Sequence, residues 1–353
     1  MTAAAIESHM EAGQTDTAPI QHGGDLGAAR LAFRGAPEPF IDLSTGINPY
    51  PYPIPPLPGE LFTRLPEQAA LDRLAAIAAQ AYGAPSAAHV VPAPGSQILL
   101  PRVAGLVRPG RAAVLGPTYA EHVRAAALAG HRVEAVAGPE ALRQSALAVV
   151  VNPNNPDGRT LPREALLSCA RDLQAAGGLL VVDEAFMDVG ASGASLAPDC
   201  DRPNIVVLRS FGKFFGLAGL RLGFALASPA VAAQLRAELG PWAVAGAALA
   251  IGTAALADRS WAEATRLHLG QAAGRLDQVL NAAGLTVAGG TSLFRLVRAQ
   301  VAPELFHHLG RAGVLVRRFA GEPTWLRFGL PASEPEWRRL AAALAAFRAS
   351  GAP

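Results

Sequence analysis

The sequence predicts an α/β protein: a large domain on a mainly parallel sheet of the seven-stranded type, followed by a smaller α+β domain. Three observations carry that expectation. At 353 residues the chain is long enough for about two structural units with ample core. From residue 89 onward, short runs of Val, Leu, Ile and Ala alternate with longer amphipathic stretches, the pattern of βαβ units. Beyond residue 284 that alternation gives way to short strands interleaved with two helices.

Taken in order, an apolar run at 89–92 predicts a strand, followed by a helix over 96–107. The same reasoning places strands at 112–115 and 146–151, with helices at 121–129 and 162–176, the latter with Pro162 in its first turn. Strands at 179–182, 204–208 and 222–227 complete the large sheet, and a helix follows at 230–239. The Ala- and Gly-rich run 242–257 reads as a buried helix, being shorter than the ~20 residues a membrane span needs. A long helix over 261–283 leads into the smaller domain, with strands at 293–297, 314–317 and 325–328 and helices near 303–311 and 334–349.

Upstream, residues 1–20 carry three acidic side chains and no apolar stretch, so they read as a mobile tail rather than a targeting signal. Residues 21–66 form an arm and a proline-dense connector, containing Pro49-Tyr50-Pro51-Tyr52-Pro53, expected to join the small domain and cap the site. The expected division is thus 67–284 for the large domain and 285–353 for the small one.

Composition narrows the function. A net charge of +2 offers no excess of cations for a run of phosphates, so a dedicated nucleic-acid binder is not expected. Two cysteines, Cys169 and Cys200, supply neither a disulfide framework nor a metal cluster, which fits a reducing, cytoplasmic setting. Eight histidines occur without a His-Glu-x-x-His pattern, and no phosphate-binding Gly-x4-Gly-Lys-Ser/Thr motif is present. Of the 30 basic residues only Lys213 is a lysine. A guanidinium cannot give up its proton to act as a nucleophile, whereas a lysine ammonium can, so the lone lysine is a candidate for chemistry.

In a parallel sheet, ligands bind beyond the carboxyl ends of the strands, so the residues after each strand decide the matter. After the first strand, Pro94-Gly95-Ser96-Gln97 enters a helix and offers backbone N–H groups to an anion. Gly116-Pro117-Thr118-Tyr119 follows the second and supplies an aromatic ring, and Asn152-Pro153-Asn154-Asn155-Pro156-Asp157-Gly158 follows the third with side-chain amides. Asp183-Glu184 follows the fourth, Ser210-Phe211-Gly212-Lys213 the fifth, and Arg221 comes eight residues later. A lysine, a carboxylate, a ring and a phosphate cup on one sheet edge meet the needs of pyridoxal 5'-phosphate.

Ser210-Phe211-Gly212-Lys213 with Arg221, Asn155-Pro156-Asp157-Gly158 and Asp183-Glu184-Ala185-Phe186 resemble the motifs of the class I/II aminotransferase family, fold-type I pyridoxal phosphate enzymes, over roughly residues 21–347. The resemblance implies that Lys213 holds the cofactor covalently and carries protons. It implies Asp183 on the ring nitrogen, Asn155 on the ring hydroxyl, and Tyr119 stacked on the ring. Ser210, Arg221 and the backbone at Gly95, Ser96 and Gln97 would bind the cofactor phosphate, and Arg327 would clamp a substrate carboxylate. The family also implies a homodimer. Phe186 and Leu65 depart from its pattern, standing where relatives commonly have tyrosines.

Within the family, the arm His22-Gly23-Gly24 followed by Asp42-Leu43-Ser44-Thr45-Gly46-Ile47-Asn48-Pro49 resembles that of the threonine-phosphate decarboxylases of cobalamin biosynthesis. Histidinol-phosphate aminotransferases usually lack it. That branch implies a small phosphorylated amino acid as substrate, threonine phosphate losing CO2 to give aminopropanol phosphate, without nucleic-acid or membrane partners. His22, Gly23 and Gly24 would then cap the substrate, with His22 and Arg317 on its phosphate. Of the neighbours Arg317 and Arg318, alternation along a strand admits one to the site, and family position favours Arg317. An aminotransferase acting on a phosphorylated amine with a 2-oxo acid is the alternative, because the same residues serve both reactions.

Overall fold

The computed structural model describes residues 20, 22–191 and 193–350; the expected tail over 1–20 lies, Ile20 apart, outside the described residues. The seven-stranded sheet that the sequence anticipates is present. It comprises β2 (Val90–Ala93), β3 (Arg111–Leu115), β4 (Arg132–Val136), β5 (Leu147–Val151), β6 (Leu179–Asp183), β7 (Ile205–Ser210) and β8 (Gly223–Leu226), after a short β1 (Ile41–Asp42). Their spatial order is β2-β8-β7-β6-β5-β3-β4, with β8 antiparallel to both neighbours and the other pairings parallel.

The central strands read as apolar runs because both of their faces are covered: every residue of β5 and β6 is buried. Alternation along β6 sends Leu180 and Val182 to one side of the sheet and Leu179 and Val181 to the other, giving two apolar cores. Helix Gly246–Ala257 packs in the larger core, where Gly252 leaves space for Leu222 and Leu74; it starts four residues after the expected position.

A second sheet, ordered β12-β13-β10-β9, holds β9 (Val287–Thr291), β10 (Phe294–Arg298), β12 (Arg317–Phe319) and β13 (Glu322–Gly329), with helices Ala302–Arg311 and Glu334–Ala349 beside it. The single strand expected at 314–317 is two: β11 (Val314–Leu315) pairs in parallel with β1, and β12 pairs with β13. The connector is extended as expected but contains a short helix, Glu60–Thr63.

Besides the two-residue β1, two strands lack an apolar run and were not expected. β4 is an edge strand, Arg-Val-Glu-Ala-Val, with only its last residue buried. β9 contains Gly289 and Gly290: a Cβ on Gly289 would lie 2.2 Å from the Asp157 carbonyl oxygen in the turn after β5, and one on Gly290 would lie 2.3 Å from the Phe294 carbonyl oxygen of β10.

Candidate functional site

A cavity of about 320 Å³ opens at the carboxyl edge of the large sheet and is closed by the arm and by β12 and β13. Its lining includes Gly95, Ser96, Gln97, Tyr119, Asn155, Asp183, Ser210, Lys213 and Arg221, together with His22, Gly23, Arg317 and Arg327. Of the residues singled out from sequence, Gly24 alone is not in the lining. Its N–H donates to Ser44 Oγ at 2.8 Å and its φ is +91°, so it turns the arm onto Ser44.

Asp183 ends β6 with its carboxylate fixed on both oxygens. Oδ2 lies 2.8 Å from His122 Nε2 and Oδ1 accepts the Ala185 N–H at 3.0 Å. A carboxylate only accepts, so Nε2 carries the proton. The next residue faces away: Glu184 receives Arg209 Nη1 at 2.9 Å, the Ser195 hydroxyl at 2.6 Å and the Leu196 N–H at 2.7 Å. Consecutive residues of a strand exit point to opposite faces, which is how one acid serves the cavity and the other the core.

Lys213 sits in the short helix Phe211–Phe214 that follows β7 directly. Its Nζ donates to the Thr45 carbonyl at 3.3 Å and lies 5.9 Å from the centre of the Phe186 ring. Burial and then the Arg327 charge push its pKa down to about 8, with Asp183 opposing. About a tenth of the amine is therefore neutral at pH 7, far more than for an ordinary lysine.

At the exit of β2 the chain passes through Gly95 with φ +86°, and a Cβ there would lie 2.7 Å from Arg221 Nη2. A Cβ on Gly223 would lie 2.3 Å from the Ser96 nitrogen. Both glycines keep a cradle open between the Gly95–Ser96 backbone, Ser210 and Arg221. Arg221 adopts φ +53° in the turn before β8, an uncommon backbone state for a residue with a side chain.

The other end of the cavity is cationic. In the β12–β13 ladder Arg317 stands directly opposite Arg327, and like charges in that relation repel. Arg327 is buried, donates to the Asn155 Oδ1 and, at 2.7 Å, to the Ser44 carbonyl, and has no carboxylate partner among the described residues. Its Nε has no hydrogen-bond partner there either. Burial and then Arg317 push its pKa down to about 9. Arg318, next along the strand, lies over the Phe306 ring at 4.9 Å, outside the lining. Lys213, Arg221, Arg317 and Arg327 thus line the cavity against one acidic residue, Asp183. That balance suits anions.

Several contributors escaped the sequence reading. His122 backs Asp183, and Glu121 links His22 to Gln97; both follow Tyr119 in the same strand exit, and reading that exit three residues further would have reached them. Asn154 ties the two loops together by accepting from Thr118 Oγ1 at 2.6 Å and donating to the Pro117 carbonyl at 3.0 Å. Phe186 lines the cavity without a hydroxyl, and Leu65 is exposed and outside it.

Comparison with known proteins agrees with this arrangement. A threonine-phosphate decarboxylase of a Sinorhizobium species is 44% identical over 333 residues, covering 93% of this chain and 98% of that protein. A histidinol-phosphate aminotransferase of Mycobacterium bovis is 36% identical over 260 residues, 69% of each chain. In three dimensions the fold matches a histidinol-phosphate aminotransferase from Sinorhizobium meliloti, solved in complex with pyridoxal-5'-phosphate, with a TM-score of 0.77 and 22% identity over 97% of this chain and 100% of that one. The family model for aminotransferase class I and II matches residues 62–344, most of the chain. By sequence and by fold alike, the chain belongs to the aminotransferase class I and II family.

Proposed function

We propose that this protein is a pyridoxal phosphate-dependent decarboxylase of L-threonine O-3-phosphate. The observation that carries this reading is the cross-strand pair Arg317 and Arg327, two cations forced together on one face of the small sheet and opened to the cavity. Such a pair is stabilised by a ligand with more than one anionic group, as a phosphorylated amino acid has. The 44% identity to threonine-phosphate decarboxylases along nearly the full chain supports the same substrate.

The residues fit the cofactor. The cradle at Gly95, Ser96, Ser210 and Arg221 offers donors to a phosphate, and Asp183, held by His122, offers a carboxylate to a ring nitrogen. Tyr119 would stack on the ring, Asn155 would meet its hydroxyl, and Lys213 would hold the group covalently through Nζ. Pyridoxal phosphate supplies an electron sink for the pair left when a bond at the substrate α-carbon breaks. The chain's own residues decide which bond that is. Arg327 would grip the substrate carboxylate region while Arg317 and His22 would hold the phosphate, so the substrate would be fixed at both ends and the bond to its carboxylate presented for cleavage. Asp183, held by His122 and the Ala185 N–H, would keep the ring nitrogen protonated. Lys213 Nζ, largely protonated below a pKa of about 8, would donate that proton to the α-carbon after CO2 leaves.

We infer a homodimer: the family resemblance implies one, and Ile54, Phe62, Leu65 and Trp242, large apolar side chains left exposed along the connector and before helix Gly246–Ala257, support it. Sedimentation of the purified protein tests it. The reaction is tested by giving the cofactor-loaded enzyme O-phospho-L-threonine without a 2-oxo acid. Stoichiometric CO2 and aminopropanol phosphate support the decarboxylase; turnover only when 2-oxoglutarate is added, without CO2, replaces it with an aminotransferase.

A further inference from the structure

We infer that Glu121 is a specificity-determining positioning residue, which holds His22 over the cavity so that the phosphate of a phosphorylated substrate is preferred. This rests on the decarboxylase reading for the identity of the substrate, though not for the geometry.

Glu121 opens the helix Glu121–Leu128, and its side chain is 10% exposed. Its two oxygens serve two different parts of the molecule. Oε1 lies 2.9 Å from Nε2 of His22 in the arm, and Oε2 accepts Gln97 Nε2 at 3.0 Å. Gln97 in turn accepts the Tyr119 hydroxyl at 3.0 Å. One carboxylate therefore joins the arm, the phosphate cradle and the ring that faces the cofactor. The other charge near it, Arg124, is 3.9 Å from Oε1 and half-exposed, a contact that solvent weakens.

The arm is also fixed from below. A Cβ on Gly23 would lie 2.5 Å from the Ser44 carbonyl oxygen, the atom that accepts Arg327 Nη2. With the Gly23 backbone pressed on Ser44 and Nε2 of His22 given to Glu121, the residue is held at its backbone and at its ring. Nδ1 is the nitrogen that remains for a ligand, and it donates to a phosphate when the ring carries both protons, the form that makes an ion pair with Glu121. Glu121 plays a double part in this arrangement: bare, its charge would repel a phosphate dianion, whereas covered by His22 and Gln97 it anchors the group that binds one.

The sign of the coupling follows. Removing His22 uncovers the carboxylate as well as deleting a contact, so His22→Ala should be worse than His22→Ala combined with Glu121→Gln. For the holoenzyme acting on O-phospho-L-threonine, His22→Ala should raise KM about 10- to 150-fold, the worth of one hydrogen bond to a charged group. Adding Glu121→Gln should recover at least about threefold of that loss, with kcat changing little across the set. A merely structural Glu121 would give losses that multiply, and would appear in kcat and melting temperature. Calorimetric titration of the same holoenzymes with inorganic phosphate should show the same order of affinities. If the wild type binds phosphate in that order but releases no CO2 from O-phospho-L-threonine, the decarboxylase reading fails and the role of Glu121 stands. Multiplying losses, or phosphate affinity unchanged in every variant, overturn the role of Glu121.

Discussion

The cofactor-free chain should take up pyridoxal phosphate covalently at a rate that rises about tenfold between pH 7 and pH 9 and then levels off, because Lys213 reacts as the neutral amine. With a pKa of about 8, roughly a tenth of the amine is neutral at pH 7 and roughly nine tenths at pH 9. An ordinary lysine, titrating near 10.4, would instead gain about tenfold per pH unit through pH 10. The causes of the depression can be perturbed separately. Arg327→Gln removes the largest neighbouring charge that disfavours the ammonium, so the midpoint should move up; Asp183→Asn removes the charge that favours it, so the midpoint should move down. Stopped-flow absorbance on mixing with pyridoxal phosphate reads the rate, with Lys213→Ala as the blank. A rate still climbing in proportion to hydroxide at pH 10, or two substitutions that shift the midpoint the same way, refutes the electrostatic account. Stability follows the same proton: between about pH 8 and pH 10.4 the unfolded chain binds one that folded Lys213 does not. Lys213 therefore adds stability as pH rises through that window, at up to ~1.4 kcal/mol per pH unit, and adds no slope below it.

Arg327→Lys keeps the charge but loses the planar fork, and kcat/KM for the phosphorylated substrate should fall about 10- to 150-fold in steady-state assays. Gly223→Ala places a methyl group 2.3 Å from the Ser96 nitrogen, so the dissociation constant for pyridoxal phosphate, measured by fluorescence titration, should rise about tenfold or more. Gly158→Ala combines φ +72° with a Cβ 2.0 Å from the Gly290 carbonyl oxygen; thermal or urea unfolding should show a loss of about 1 to 3 kcal/mol.

Much of the site was legible because a parallel sheet turns sequence order into spatial convergence. Gly95, Tyr119, Asn155, Asp183 and Lys213 lie far apart in the chain, yet each stands just after an apolar run, and five such exits share one edge. What stayed hidden depends on partners that no run announces. Glu121 matters through His22, 99 residues away, and His122 through Asp183, 61 residues away. Gly24 reads as part of a substrate cap because it adjoins His22 and Gly23; its hydrogen bond to Ser44, twenty residues on, is a contact that no apolar run announces. The edge strand Arg132–Val136 and the glycine-bearing strand Val287–Thr291 carry no apolar periodicity, since one faces solvent and the other must let a neighbouring backbone approach.

The short parallel pairing of Ile41–Asp42 with Val314–Leu315 imposes an order of events on synthesis. About 270 residues separate the two strands, and at roughly 5 to 20 residues per second the ribosome needs on the order of 15 to 55 s to make them. Over that interval the Ile41 amide and the Leu43 amide lack their acceptors at Gly313 and Leu315, so the arm cannot take its final place over the cavity. The large sheet, whose strands run from Val90 to Leu226, can form during that wait. The nascent protein should therefore present the open edge of its large sheet before the groups that close it arrive.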